Sequence, residues 1–436
     1  MATLGTVGSQ AGKALTAIGI AVLLGGCPPV EPDGGDAGAV DGGGDGGSGD
    51  AAAAACLDQI VLDQPFAVDP AGVGTQIHAD AVYDGQGVWV TYNQPRSGLF
   101  DVYLTRLACD GSTQIAPQRV NTTLTGSHVD PGVMLVDNGL VVAWYADNQT
   151  GVDNMDVYYR TFDRGGTPTM ASDRTLETAY QGSPVPGNVM DPALAPLPNG
   201  GFAIAGIRGL DATNSFQVFV QRLTADGELE GAALDLVIEA GVTHRYPSLA
   251  ATVGGDLYLA YGAEPLAGDA SLVHSHLPAG SSTWDPLPPA VVTASSDGSY
   301  GSYALDRADG RVLLAYDLNQ DIVLRDGSVF SGTGRTLSLG TGGGLDFSPR
   351  LLLAPGGGAV FWYRNQSGYR NAFKMQSFTD DGSALVAGAE RLVTASSVPP
   401  YAPAAAHVSG TIYFAAWSEG TSPNFVIKGV FVDLAS

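Results

Sequence analysis

A chain of 436 residues, 44% hydrophobic and only 15% charged, carries enough apolar surface for a large core, which excludes an extended disordered protein. Its net charge is −24, and Lys374 and Lys428 are the sole lysines after Lys13, so a nucleic-acid surface built on clustered cations is excluded. With 60 glycines and 26 prolines the turns must be frequent, and beyond the amino terminus no stretch keeps a helical apolar period.

The first element is an apolar run, Ala14 to Leu24, directly after Lys13. Eleven residues are too few to cross a bilayer core of about 30 Å but suit the centre of a signal peptide. The run ends in Leu24-Gly25-Gly26-Cys27. This resembles the lipobox of bacterial lipoproteins, and the resemblance implies a signal peptide over 1–26 and a lipid on Cys27, the first mature residue. Several acyl chains on one residue anchor stably where a single chain does not. Pro28 stands where lipoproteins held at an inner membrane often carry Asp, so the resemblance points to the outer membrane of a cell envelope. Residues 27–55 are rich in Gly, Asp and Ala, with six acidic side chains and no basic one after Cys27. They read as a flexible tether spanning on the order of 30 Å.

Cys56 and Cys109 remain once Cys27 is assigned, an even pair in an oxidising compartment, and a disulfide between them is expected.

From residue 56 to 436 the chain repeats a unit of roughly 50 residues about seven times. Each unit opens on Asp-Pro, Ser-Pro or a related pair, as in Asp130-Pro131, Asp191-Pro192, Tyr246-Pro247 and Ser348-Pro349. A Gly turn follows, then an apolar run ending in an aromatic residue, as in Leu140-Val-Val-Ala-Trp144 and Val312-Leu-Leu-Ala-Tyr316. A polar loop leads to a strand headed by Asp or Asn, such as Asp101, Asp156, Asn371 and Asn424. Short extra strands separate the units, at Gln118, Arg174, Leu236, Ala290, Arg335 and Arg391. Four strands per unit, with continuous apolar runs in the middle ones, predict an all-β, seven-bladed propeller of antiparallel blades. Unit seven lacks a fourth strand, and Leu57 to Leu62 is the spare strand expected to complete it and remove the open edge. The repeat resembles one common in large exported bacterial surface proteins. Phe219-Val-Gln-Arg-Leu-Thr-Ala-Asp-Gly227 and Tyr159-Arg-Thr-Phe-Asp163 carry the likeness, which implies a fold rather than an activity.

Candidate chemistry gathers at the start of the units. His78, His128, His244 and Asp346 are read at one repeat position, and Asp80, Asp130 and Asp191 two residues after it in units one to three. Innermost propeller strands line a central channel, so these side chains are candidates for a ring that holds a metal ion or a cationic ligand; capping of the strand entry is the structural alternative. Asp317, Asn319 and Asp321 alternate like calcium ligands, as Asp147, Asn148, Asp153 and Asp156 cluster in unit two, but neither has the rest of a calcium loop. No cofactor is expected beyond calcium or another divalent cation. Gly-x-Ser-x-Gly and His-Glu-x-x-His are absent. The sequence therefore points first to a monomeric, membrane-tethered binding or scaffolding lipoprotein with a glycan or protein ligand. The alternative is a glycan hydrolase or lyase using channel carboxylates.

Overall fold

In the computed structural model, the described residues are 56–435 without the segments 148–154, 177–178, 181–182, 185–188, 210–215, 237–241, 266–269, 295–300, 306–311, 319–320, 329–333, 341–344, 367–369, 396–402 and 422–423. The signal peptide, Cys27 and the tether lie outside them, as does Asn319.

Seven four-stranded antiparallel sheets follow one another as the predicted blades. Their innermost strands are Ile77–Tyr83, Ser127–Val136, Val189–Pro196, Val242–Ala251, Gly301–Leu305, Leu345–Ala354 and Ala404–Ser409. Within the first six blades the strands pair in sequence order, so every connection inside them is a hairpin and the fourth strand lies outermost. The weakly marked fifth unit is a full blade, completed by Val312–Leu318, Asp321–Asp326 and Thr336–Leu339.

The blades form because the middle strands are apolar on both faces and can be buried only between neighbouring sheets. Val82, Trp89, Val102 and Leu104 of blade one pack against Val133, Leu135, Leu140 and Trp144 of blade two. Trp89, Trp144, Trp362 and Trp417 are all fully or almost fully buried, as expected of core residues. The glycine that opens the second strand has a steric cause. A Cβ at Gly139, Gly201 or Gly357 would run into the carbonyl of Phe162, Leu223 or Phe378 on the third strand. The outer strands, such as Leu229–Asp235 and Leu385–Ala395, are largely exposed.

Two sequence expectations shift in detail. The third blade's outer strand is Leu229–Asp235, ahead of the apolar run at Leu236, because that run follows a Gly231 bend and Leu236 instead turns into the core. The seventh blade is completed by Phe66–Ala67 paired with Lys428 and Gly429, not by Leu57–Leu62. Residues 56–59 form a helical turn, and Leu62 makes a single parallel bridge to Phe431. The apolar side chains Leu57, Ile60 and Leu62 pack on the seam between blades seven and one, so burial is satisfied without ladder pairing.

The Cys56–Cys109 disulfide is formed, with the Cα atoms 5.4 Å apart. Cys109 lies in the turn after the third strand of blade one, Leu99–Leu107. Each propeller face therefore has its own set of connections. Cys56 belongs to the face of the turns between strands one and two and between strands three and four. The opposite face, called here the entry face, is where the innermost strands begin.

Candidate functional site

Near the start of the innermost strand, five blades share a β-bulge. The register slips between Ile77 and Asp80, Val129 and Gly132, Met190 and Ala193, Arg245 and Ser248, and Phe347 and Arg350. The first bulged residue is His78, Asp130, Asp191, Tyr246 or Ser348, each with φ between 50 and 54°. A side chain costs about 1–2 kcal/mol in that left-handed conformation. In four of the five the next residue is proline, which lacks the N–H that an interrupted ladder would leave unpaired. The repeated Asp-Pro and Ser-Pro pairs are thus the code for a bulge, and a bulge re-aims the side chain it carries.

The registers correct the alignment of unit one. His78 is equivalent to Asp130, not to His128, whose counterpart in blade one is Gln76. Likewise Asp80 matches Gly132, Ala193, Ser248, Ser302, Arg350 and Ala404, one level deeper along the axis. The two-residue slip arises because blade one has Ala79 where units two, three, four, six and seven have proline.

The bulges of blades one to four bring polar side chains together. His78 Nδ1 lies in close contact with an Asp130 carboxylate oxygen. Asn93 of blade one accepts the Asp130 backbone N–H at 3.1 Å and donates to the His128 carbonyl at 2.7 Å, fixing blade one against the blade-two bulge. Tyr145 hydrogen-bonds to Asp130 and also feels Asp191 and Tyr246; burial first, then these charges, hold its hydroxyl far above the usual phenol range. Asp191 is only 5% exposed, and its Oδ2 has no hydrogen-bond partner among the described residues. Burial, then the Asp130 carboxylate, push its carboxyl up to about 7, against a backbone bond from Tyr246 and the charge of Arg245. The cluster is open at its rim, where the Asp130 side chain is 13% and the Arg245 side chain 33% exposed.

The other predicted residues sit elsewhere. Asp80 is buried, accepts the Ala81 and Val133 backbone N–H groups at 2.9 Å each, and pairs with Arg350 of blade six at 2.7 Å. Blade six is two blades from blade one, so this pair spans the axis. The matching positions of the other described innermost strands, Gly132, Ala193, Ser248 and Ala404, are small enough to leave the guanidinium room. His128 accepts the Trp144 indole N–H at 2.9 Å, and burial lowers its pKa. His244 stacks edge-on against Tyr261, and burial lowers it to about 4. Asp346 is held by Arg364 through both oxygens at 2.5 Å. These three belong to their own blades' packing. Asp317 is buried and Asp321 exposed at a hairpin. Among the described residues no three His, Cys, Asp or Glu side chains are placed to hold one metal ion.

Sequence reasoning found Asp130, Asp191 and His78 but not Tyr145, Arg245, Tyr246 or Arg350. Tyr246-Pro247 stands where Asp-Pro stands in other units, and that equivalence was its one signal. Tyr145 directly follows the core Trp144 and reads as part of the same apolar run.

No protein-family model matches the chain, and no curated protein does. Solved structures match it as folds. An ulvan lyase of a new polysaccharide lyase family, bound to a GlcA(1-4)Rha3S saccharide, is 11% identical with a TM-score of 0.54, over 85% of this chain and 96% of that one. The polysaccharide lyase Uly1 is 12% identical with a TM-score of 0.52, over 84% and 91%. A protein of unknown function from Dyadobacter fermentans is 12% identical with a TM-score of 0.51, over 86% and 98%. At such identities the likeness is one of propeller architecture.

Proposed function

We propose that this chain is an exported, lipid-anchored glycan-acting enzyme whose acid–base pair is Asp191 and Asp130. One observation carries the reading: Asp191 is buried, its Oδ2 unpartnered among the described residues, beside a second carboxylate on the adjacent blade. Leaving a buried carboxyl oxygen unbonded costs about 1–3 kcal/mol, a cost that a ligand hydroxyl or glycosidic oxygen removes on binding. Two carboxyl groups whose environments drive them apart are what glycosidic cleavage uses. Asp191 keeps its proton to about pH 7 and serves as the acid, donating to the departing oxygen. Asp130, held by His78 and Tyr145, serves as the carboxylate that activates water or attacks the sugar. Matching folds among polysaccharide lyases make a glycan the first substrate class to test.

The anchor fits this role. Cys56, the first described residue, lies on the face opposite the bulges. A lipid on Cys27 would then hold the site outward, toward polymer outside the membrane. Intact-mass analysis of envelope-bound protein should show loss of residues 1–26 and acyl mass on Cys27.

Non-catalytic glycan binding is the second reading, favoured by how little of His78, Asp191 and Tyr246 is exposed. The test is release of reducing ends from a polysaccharide panel by the full-length chain in detergent, beside Asp191→Asn and Asp130→Asn. Turnover lost in both variants supports the enzyme. Saturable binding without turnover in the unmodified protein supports the binder.

A further inference from the structure

Resting on the acid–base reading of Asp130 and Asp191, we propose that the glycosidic bond cleaved is that of a neutral or amino sugar, broken by hydrolysis, and that polyuronates are rejected. The argument is one of charge at the entry face. Two carboxyl groups line the cluster, and Asp191 Oδ2 is buried with no hydrogen-bond partner among the described residues. The arginines of this face whose side chains are described each lie against an acid. Arg245 Nε lies 2.9 Å from Glu264, Arg96 pairs with Asp101 at 2.7 Å, and Arg208 pairs with Asp235. Arg119 lies 3.8 Å from the same Asp101, and Arg364 is bound by Asp346. On the floor, Arg350 is committed to Asp80. His78, the remaining cationic candidate, is paired with Asp130.

Elimination next to a uronate needs a positive group to neutralise the sugar carboxylate before the neighbouring proton leaves. Among the described side chains of this face, none is left over for that task. A uronate would instead set its carboxylate beside Asp130 and Asp191, and like charges in a partly buried site repel strongly. A hydroxyl or ammonium group finds acceptors there. Hydrolysis balances with these groups alone. Water adds its oxygen to the anomeric carbon, the glycosidic bond breaks, Asp191 gives its proton to the leaving oxygen, and Asp130 takes one from water.

The experiment pairs the full-length chain with neutral, amino-sugar and polyuronate polysaccharides. It reads both reducing ends and the ultraviolet absorbance of an unsaturated uronate. The expected result is reducing ends from a neutral or amino-sugar polymer, released about tenfold or more faster than from any polyuronate, with no unsaturated product. Glu264→Gln frees Arg245 and leaves the Asp130 and Asp191 side chains in place, so it should strengthen binding of a uronate oligosaccharide in calorimetry. Unsaturated product from a polyuronate overturns this proposal and leaves a catalytic site standing. Equal uronate binding by the unmodified protein and Glu264→Gln also overturns it. Absence of turnover on every polymer, together with no binding of cationic iminosugars, overturns the acid–base reading itself.

Discussion

Replacing Asp191 by Asn tests the site through the stability of the fold. Asp191 titrates near 7 in the native protein, against 3.8 for an ordinary aspartate. The native state therefore holds a proton through a pH range where the unfolded chain has lost it. Stability from this group is greatest in acid and falls as pH rises from about 4 to 7. Roughly three pH units at 1.36 kcal/mol each give a deficit of about 4 kcal/mol above pH 7. Asn keeps the side-chain shape, accepts the Tyr246 N–H and cannot ionise. Its amide also replaces the repulsion from Asp130 with a donor. The variant should match the unmodified protein near pH 4 and exceed it by up to about 4 kcal/mol at pH 8, on the order of 5 °C in Tm for a domain of this size. The assay is denaturant unfolding of the full-length chain at both pH values, beside the polysaccharide assay. A more stable but inactive variant is the signature of a strained functional carboxyl. Equal stability differences at pH 4 and pH 8, or a variant weaker at pH 8, would refute the buried, proton-holding Asp191.

Other outcomes follow from the same contacts. Arg350→Met should cost about 3–5 kcal/mol, because Asp80 is left as a buried uncompensated charge; adding Asp80→Asn should restore most of it in denaturant unfolding. Opening the Cys56–Cys109 bridge, 53 residues apart in sequence, should cost up to roughly 4 kcal/mol in the chain-entropy model, seen as a lower unfolding midpoint of Cys109→Ser. Trp144→Phe removes the donor to His128 and should cost about 1–3 kcal/mol with turnover unchanged; a loss of turnover would move His128 into the site. His244, lowered to about 4 by burial, must charge on unfolding below pH 6.5, so its contribution is lost as pH falls from 6.5 toward 4; His244→Phe should flatten that limb of the stability profile.

The architecture was legible because it is written seven times. An apolar run ending in Trp144, Tyr316 or Trp362 has only one use, burial between two sheets, and repetition at about 50 residues turns that local fact into a ring. Even the faint fifth unit, Val312 to Tyr316, keeps the pattern and forms its blade. The pairing of Cys56 with Cys109 was also legible, since these two cysteines are the pair left once Cys27 is assigned to the lipid. The closing strand was misplaced by a few residues. Hydrophobicity at Leu57–Leu62 measures burial, and burial is satisfied as well by a packed turn as by a ladder.

The site is a different matter. Sequence placed Asp130 and Asp191 at corresponding repeat positions, because the Asp-Pro pair marks the bulge wherever it occurs. It misaligned His78, because Ala79 breaks that mark in blade one. It gave no sign that Asp80 and Arg350, 270 residues apart, meet across the axis while Asp130 and Asp191 share a mouth. Periodicity fixes which residues occupy equivalent places on a blade. What each one meets depends on the neighbouring blade, on burial and on the charge opposite, and those exist only once the ring is assembled.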